Sequence, residues 1–155
     1  MMIIFQCFGG THTSVVAAFI YLGRLPRTRR PRLEEILSLP YFDRSGSADL
    51  GKLHYAGRDG KGNPVFILGS GRWGAGIRAM AAALLRLEGY PPAEVALIDC
   101  LPLVTLPVRV GGFISQRLGL TAVGRPLVGR GFLWNYTRLL ELVEHFERDP
   151  ASYLL

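Results

Sequence analysis

A short β-favouring run that stops at a glycine pair and turns at once into a helix sets the narrowest limits on this chain. Met2-Ile3-Ile4-Phe5-Gln6 leads to Cys7, and Phe8-Gly9-Gly10-Thr11-His12-Thr13-Ser14 follows. An apolar stretch then runs from about Thr13 to Tyr21 or Leu22 and meets Gly23, a fitting helix stop. Residues 15–20 are apolar on all sides, so this helix should be buried. The arrangement recurs. Residues 64–68 read as a strand, 69–76 as a second glycine-rich loop, and 77–87 as an alanine- and leucine-rich helix. Val95-Ala96-Leu97-Ile98-Asp99 is a short apolar strand suited to burial on both faces. Residues 52–57 pair with 64–68 as a hairpin around an Asp-Gly turn. Repeated strand–loop–helix units predict a single α/β domain over 1–155. We expect a three-layer sandwich with a largely parallel sheet and one embedded β-hairpin.

The intervening segments are less regular. Residues 24–32 hold two prolines and five arginines and read as an exposed connection. Pro31 can open a helix over 32–39 that stops before Pro40. Residues 43–51 form a polar loop, 101–110 are too interrupted by proline to assign, 111–118 suggest a short helix and 125–130 one more strand. A final amphipathic helix covers 132–146. The 155 residues suit one domain. With 49% hydrophobic and 19% charged residues, the chain is neither disordered nor, having two cysteines, a disulfide-rich scaffold. The first residues lack a basic region, and the longest apolar run, 15–22, is far short of the ~20 residues a spanning helix needs. We expect a cytoplasmic protein with reduced thiols and no membrane partner.

In folds of this class ligands sit at the carboxyl ends of the strands, where Cys7, Gly69 and Asp99 are predicted to fall. The first loop has the makings of an anion site. Gly9 and Gly10 let backbone N–H groups approach a ligand, and Thr11, Thr13 and Ser14 add hydroxyls. The helix start supplies unpaired donors and partial positive charge. The same field favours the thiolate of Cys7, and His12 can serve as charge partner or proton donor. The expected ligand is phosphate or a phosphorylated small molecule, with Cys7 as a nucleophilic or phosphoryl-carrying thiolate. The plainer reading of the same residues is an N-capped helix, a buried cysteine and a tight turn. No lysine follows the glycines, which excludes a Walker A loop.

The second loop, Gly69-Ser70-Gly71-Arg72-Trp73-Gly74, fits the G-x-G-x-x-G pattern of nucleotide or dinucleotide sites, and Asp99 lies 25 residues beyond Gly74. Arg72 can hold a phosphate. Against this, a hairpin precedes the motif, and a glycine-rich turn with Trp73 packed on the core explains it equally. No particular cofactor is indicated. The net charge of +6 and 16 arginines among 18 basic residues suit an anionic partner. The rival function is therefore a non-catalytic interaction protein whose arginine-rich surface docks nucleic acid or an acidic protein. The arginine run lacks interleaved aromatics, however, and a solvated loop accounts for it. His54 and His145 are isolated, and no metal-ligand spacing appears. Cys100, next to Asp99, would approach Cys7 as a redox partner if the two strands are neighbours.

Cysteine, five residues, then Thr-Ser resembles the active loop of the IIB proteins of sugar phosphotransferase systems, where a cysteine carries a phosphoryl group. It also resembles the loop of low-molecular-weight tyrosine phosphatases, which has Arg-Ser in place of Thr13-Ser14. The missing arginine speaks against phosphatase chemistry. A resemblance spanning nearly the whole chain is to the bacterial family known as domain of unknown function 3189. It rests on residues 3–15, on Glu34-Glu35-Ile36-Leu37-Ser38-Leu39-Pro40-Tyr41-Phe42-Asp43, on residues 112–120 and on Gly124-Arg125-Pro126. It implies a cytoplasmic protein of Gram-positive spore formers and their relatives, and no activity.

Overall fold

A computed structural model describes every residue except 45–46 and 118–120. Four strands, β1 (Met2–Cys7), β2 (Leu53–Arg58), β3 (Pro64–Gly69) and β4 (Val95–Asp99), form one sheet in the order β2-β3-β1-β4. The helices are α1 (Thr13–Tyr21), α2 (Leu33–Leu37), α3 (Gly74–Leu87), α4 (Leu106–Arg117) and α5 (Thr121–Arg148). β1 is central and parallel to both β3 and β4, with Cys7 opposite Gly69 and Gln6 opposite Asp99. β2 is antiparallel to β3, with an irregularity between Tyr55 and Gly57.

Alternation along β1 explains the layers. Ile3, Phe5 and Cys7 enter a large core with α1, α2 and α5, while Ile4 faces the other way with Leu68, Val95 and Leu97, toward Ile77 and Leu85 of α3. The expected helices-on-both-faces α/β fold is therefore present. Every residue from Thr13 to Ile20 is buried, as an all-round apolar helix requires. Beyond it, Phe5, Tyr21, Phe146 and Tyr153 form a chain of ring contacts with centroids 5.4–6.2 Å apart.

The outer edge of β4 is closed by the chain's last residues. Leu154 bridges Ala96, and the Leu155 amide donates to the Val95 carbonyl at 3.0 Å. Arg78 of α3 pins this closure, donating to the carbonyls of Leu154 (2.6 Å), Leu97 (2.9 Å) and Tyr153 (3.1 Å). Arg78→Met keeps the apolar stem but removes all three bonds. It should lower unfolding free energy by about 2–3 kcal/mol in urea titration; a change below about 0.5 kcal/mol, the range of ordinary surface substitutions, would show that the clasp is idle.

Several expectations need correction. Residues 125–130 are not a strand but lie inside α5, because Val128 continues the buried seam of Phe132, Tyr136, Leu139, Val143 and Phe146 at helical spacing. Pro126 falls within this helix, and packing along the seam overrides its penalty. The helix expected over 111–118 begins at Leu106, with Pro107 in its first turn, where proline is tolerated; Leu118 lies outside the described residues. Pro31 does not open α2, which starts at Leu33 after Arg32. α3 starts three residues early, at Gly74. Trp73 does not pack on the core: it is 77% exposed.

Candidate functional site

The Cys7–Gly69 register brings the two glycine loops together, and they pack backbone on backbone. Gly10 has φ +66°, and a Cβ there would sit 2.6 Å from the Gly69 nitrogen. A Cβ on Gly69 would sit 2.8 Å from the Gly9 oxygen. Ser70 and Gly71 donate their amides to the carbonyls of Cys7 (2.9 Å) and Phe8 (2.8 Å), and Ser70 Oγ also reaches the Cys7 carbonyl. Trp73 donates to the Ser70 carbonyl. The amides of Ser70, Gly71 and Trp73 in the second loop are thus committed within the protein. Gly74 is required by packing, since a Cβ would meet Leu101 Cδ1 at 2.9 Å. Arg72 is exposed, and the Asp99 carboxylate accepts from the Leu101 amide at 3.0 Å.

The first loop differs. Among the described residues, no acceptor meets the amides of Gly9, Gly10, Thr11, His12, Thr13 or Ser14; the first backbone bond of α1 runs from Val16 to the His12 carbonyl. His12 occupies the N-cap position without a side-chain cap. Gly10, Thr11, Thr13 and Ser14 are nonetheless buried, and Thr13 Oγ1 is a buried hydroxyl with no partner among the described residues. Gln6 Oε1 is in the same position, although Gln6 Nε2 donates to the Gly74 carbonyl at 3.4 Å. Cys7, 3% exposed, lies under this loop with its Sγ 3.1 Å from Ser14 Oγ. The Cys–x5–Thr–Ser spacing therefore places the serine hydroxyl on the sulfur.

One residue of the site escaped the sequence reading. Asp43 has a fully buried carboxylate 2.9 Å from His12 Nε2, and its amide donates to the Thr11 carbonyl at 3.0 Å. The His12 ring meets Phe42 edge-on at 5.6 Å, and a Cβ on Gly112 of α4 would crowd His12 Cε1 at 3.1 Å. Tyr41 and Asp43 both adopt left-handed backbone, φ +66° and +55°. That is uncommon for Asp and a genuine outlier for Tyr. Strain of this kind, costing ~1–3 kcal/mol per residue, collects where the fold over-determines a functional geometry. The only sequence signal was an aspartate just beyond Pro40, in one of the segments that carry the family resemblance.

Other candidates are dispersed. Arg27 forms a two-pronged pair with Glu147, and Arg29 another with Glu35, which Arg32 joins at 3.6 Å. Arg29 first, then the Arg32 amide, pulls the Glu35 carboxyl down to about 2. Arg24 lies over the Phe19 ring. The His54 ring lies tilted against Tyr41, and His145 bonds the Tyr153 hydroxyl. No cluster of three metal-ligating side chains occurs among the described residues. No described helix is long and apolar enough to cross a membrane. An open apolar groove of about 390 Å³, lined by Met2, Ile4, Leu84, Leu85, Val95 and Leu155, lies toward the amino ends of β1 and β4, the end of the sheet away from the loops.

The chain belongs to the family described as "Protein of unknown function (DUF3189)", whose sequence profile matches residues 2–148. No curated protein and no solved structure matches it.

Proposed function

We propose that this family member binds phosphate or a phosphomonoester in the loop from Gly9 to Ser14, with Cys7 beneath the anion as a nucleophilic, phosphoryl-carrying thiolate. The carrying observation is a largely buried glycine-rich loop, with only Gly9 and His12 half-buried, whose successive amides, together with Thr13 Oγ1, lack acceptors among the described residues. Leaving a buried donor unpaired costs ~1–3 kcal/mol, and an anion at a helix start removes that cost for several donors at once. The place in the fold agrees. The chain leaves β1 toward the α1 face and β3 toward the α3 face, so the two carboxyl ends form a topological switch point, where open α/β sheets bind ligands.

In the covalent version, the Cys7 sulfur attacks phosphorus, the S–P bond forms and the P–O bond to the leaving group breaks. The departing oxygen takes a proton from His12. With Nε2 held by Asp43, Nδ1 is the nitrogen left for that transfer. The second-loop nucleotide reading gains nothing from amides already bonded within the protein. The nucleic-acid reading gains little from arginines paired with Glu35 and Glu147.

Melting temperature against phosphate, sulfate and a set of phosphomonoesters tests the reading. A ligand at ~100 times its Kd adds roughly 2.7 kcal/mol, a rise of several degrees at ~2–4 °C per kcal/mol or somewhat more. Thr13→Val should abolish the shift while leaving the unliganded melting temperature near that of the parent. Cys7→Ala should keep the shift and lose any phosphoryl adduct seen by mass. A folded parent protein with no response to any phosphate-bearing compound overturns the reading.

A further inference from the structure

We infer that Cys7 and Cys100 are a dithiol pair that a peroxide converts into an intramolecular disulfide between β1 and the end of β4. The inference stands apart from the phosphate reading, since it needs only the placement of two sulfurs.

The register supplies that placement. Gln6 pairs with Asp99, and the ladder continues one step, because the Cys100 amide donates to the Gln6 carbonyl at 2.8 Å. Cys7, at the end of β1, and Cys100, one residue past β4, are therefore the next residues across from each other in this parallel register. Register partners in a parallel pair point to the same face, and both side chains belong to the same core on the α1 side of the sheet. Neighbouring strands lie about 4.8 Å apart, inside the Cα separation of about 4.4–6.8 Å that a disulfide accepts. Both thiols are free. Their proximity also shows electrostatically: burial, and then negative charge on Cys7, push the Cys100 thiol well up. The chain has no other cysteine, so any disulfide within one molecule is this one.

The surroundings assign the two roles. Cys100 is fully buried and held protonated, whereas Cys7 lies at the loop with Ser14 Oγ against its sulfur. Cys7, 3% exposed against 0% for Cys100, is the outer of the two and is assigned as the thiol that hydrogen peroxide meets. Its thiolate attacks one peroxide oxygen, the O–O bond breaks, and Cys7 sulfenic acid and hydroxide form. The Cys100 sulfur then attacks the sulfenic sulfur. The S–S bond forms, the S–OH bond breaks, and the Cys100 proton leaves with the hydroxyl as water. Two thiols are oxidised and one peroxide is reduced to two waters. A sulfur so engaged is no longer a nucleophile, and a dithiol such as dithiothreitol restores it by exchange.

The native full chain treated with hydrogen peroxide, quenched with N-ethylmaleimide and mapped by mass spectrometry tests this. The expected product is a monomer lighter by two hydrogens that takes up no maleimide after denaturation. It should yield one cross-linked peptide pair containing Cys7 and Cys100, and dithiothreitol should reverse all of this. Cys100→Ala should instead accumulate higher oxides on Cys7, and Cys100→Ser serves if the alanine variant folds poorly. Wild-type protein that carries sulfinic Cys7 beside an alkylatable Cys100 overturns the inference. So does a protein with both thiols intact at a peroxide dose that consumes a free cysteine peptide.

Discussion

Gly10→Ala is expected to lower the unfolding free energy by about 2–5 kcal/mol. Left-handed backbone costs an L-residue ~1–2 kcal/mol, and crowding a packed interior adds ~1–3 kcal/mol. Both apply here, since Gly10 has φ +66° and the new Cβ would lie 2.6 Å from the Gly69 nitrogen and 3.0 Å from its Cα. The obstacle is backbone, which has no rotamer to change. Gly23 supplies the control. It is also left-handed, at φ +70°, but a Cβ there meets nothing within 4 Å, so Gly23→Ala should cost only the backbone share. Against a total stability of about 5–15 kcal/mol, the gap between the two variants in urea titration isolates the loop-on-loop contact. Equal losses would mean that the loops separate easily. The expected result also makes Gly10 a poor probe of ligand binding, because its loss would disturb the fold first; Thr13→Val is the cleaner probe.

The elements legible in the sequence are those fixed by local chemistry. β1, the hairpin and α1 follow from β-favouring or apolar runs ended by glycine or an Asp-Gly turn, and β4 from a short apolar run; each lies within about two residues of its expected bounds, the usual scatter of helix and strand ends. The amino-terminal half of α5 was hidden by Gly124, Pro126, Gly129 and Gly131, all weak helix formers. Only the tertiary seam from Val128 to Phe146 makes it helical. The site divides in the same way. The Cys7–Ser14 contact is seven residues apart along one strand–loop–helix unit and was readable as spacing. The His12–Asp43 contact spans 31 residues and joins a helix start to a loop with no periodicity. The approach of Cys100 to Cys7 depends on β4 pairing with β1, which no local pattern specifies. The glycines of the second loop matched a nucleotide motif, but Gly69 and Gly74 meet a packing need that motif spacing does not distinguish.

Asp43→Ala should be the most damaging polar substitution in the site, lowering stability by about 3 kcal/mol or more. It strips His12 of a fully buried partner. Losing one member of a buried pair costs ~3–5 kcal/mol if the pair is charged and ~1–3 kcal/mol if it is a neutral hydrogen bond. Alanine at φ +55° adds the left-handed penalty of ~1–2 kcal/mol, which aspartate and asparagine relieve through local hydrogen bonds. Asp43→Asn keeps the shape and the tolerance for that backbone, so it should fold and allow phosphate binding to be measured. The sign of its effect decides what Asp43 does. As a negative charge beside the loop, Asp43 repels an anion, and its neutralisation would tighten phosphate. As the group that orients His12 through the 2.9 Å contact to Nε2, its neutralisation weakens phosphate. We expect the weaker binding. Tighter binding would confine Asp43 to a role in folding and leave the loop amides and Thr13 Oγ1 as the anion site.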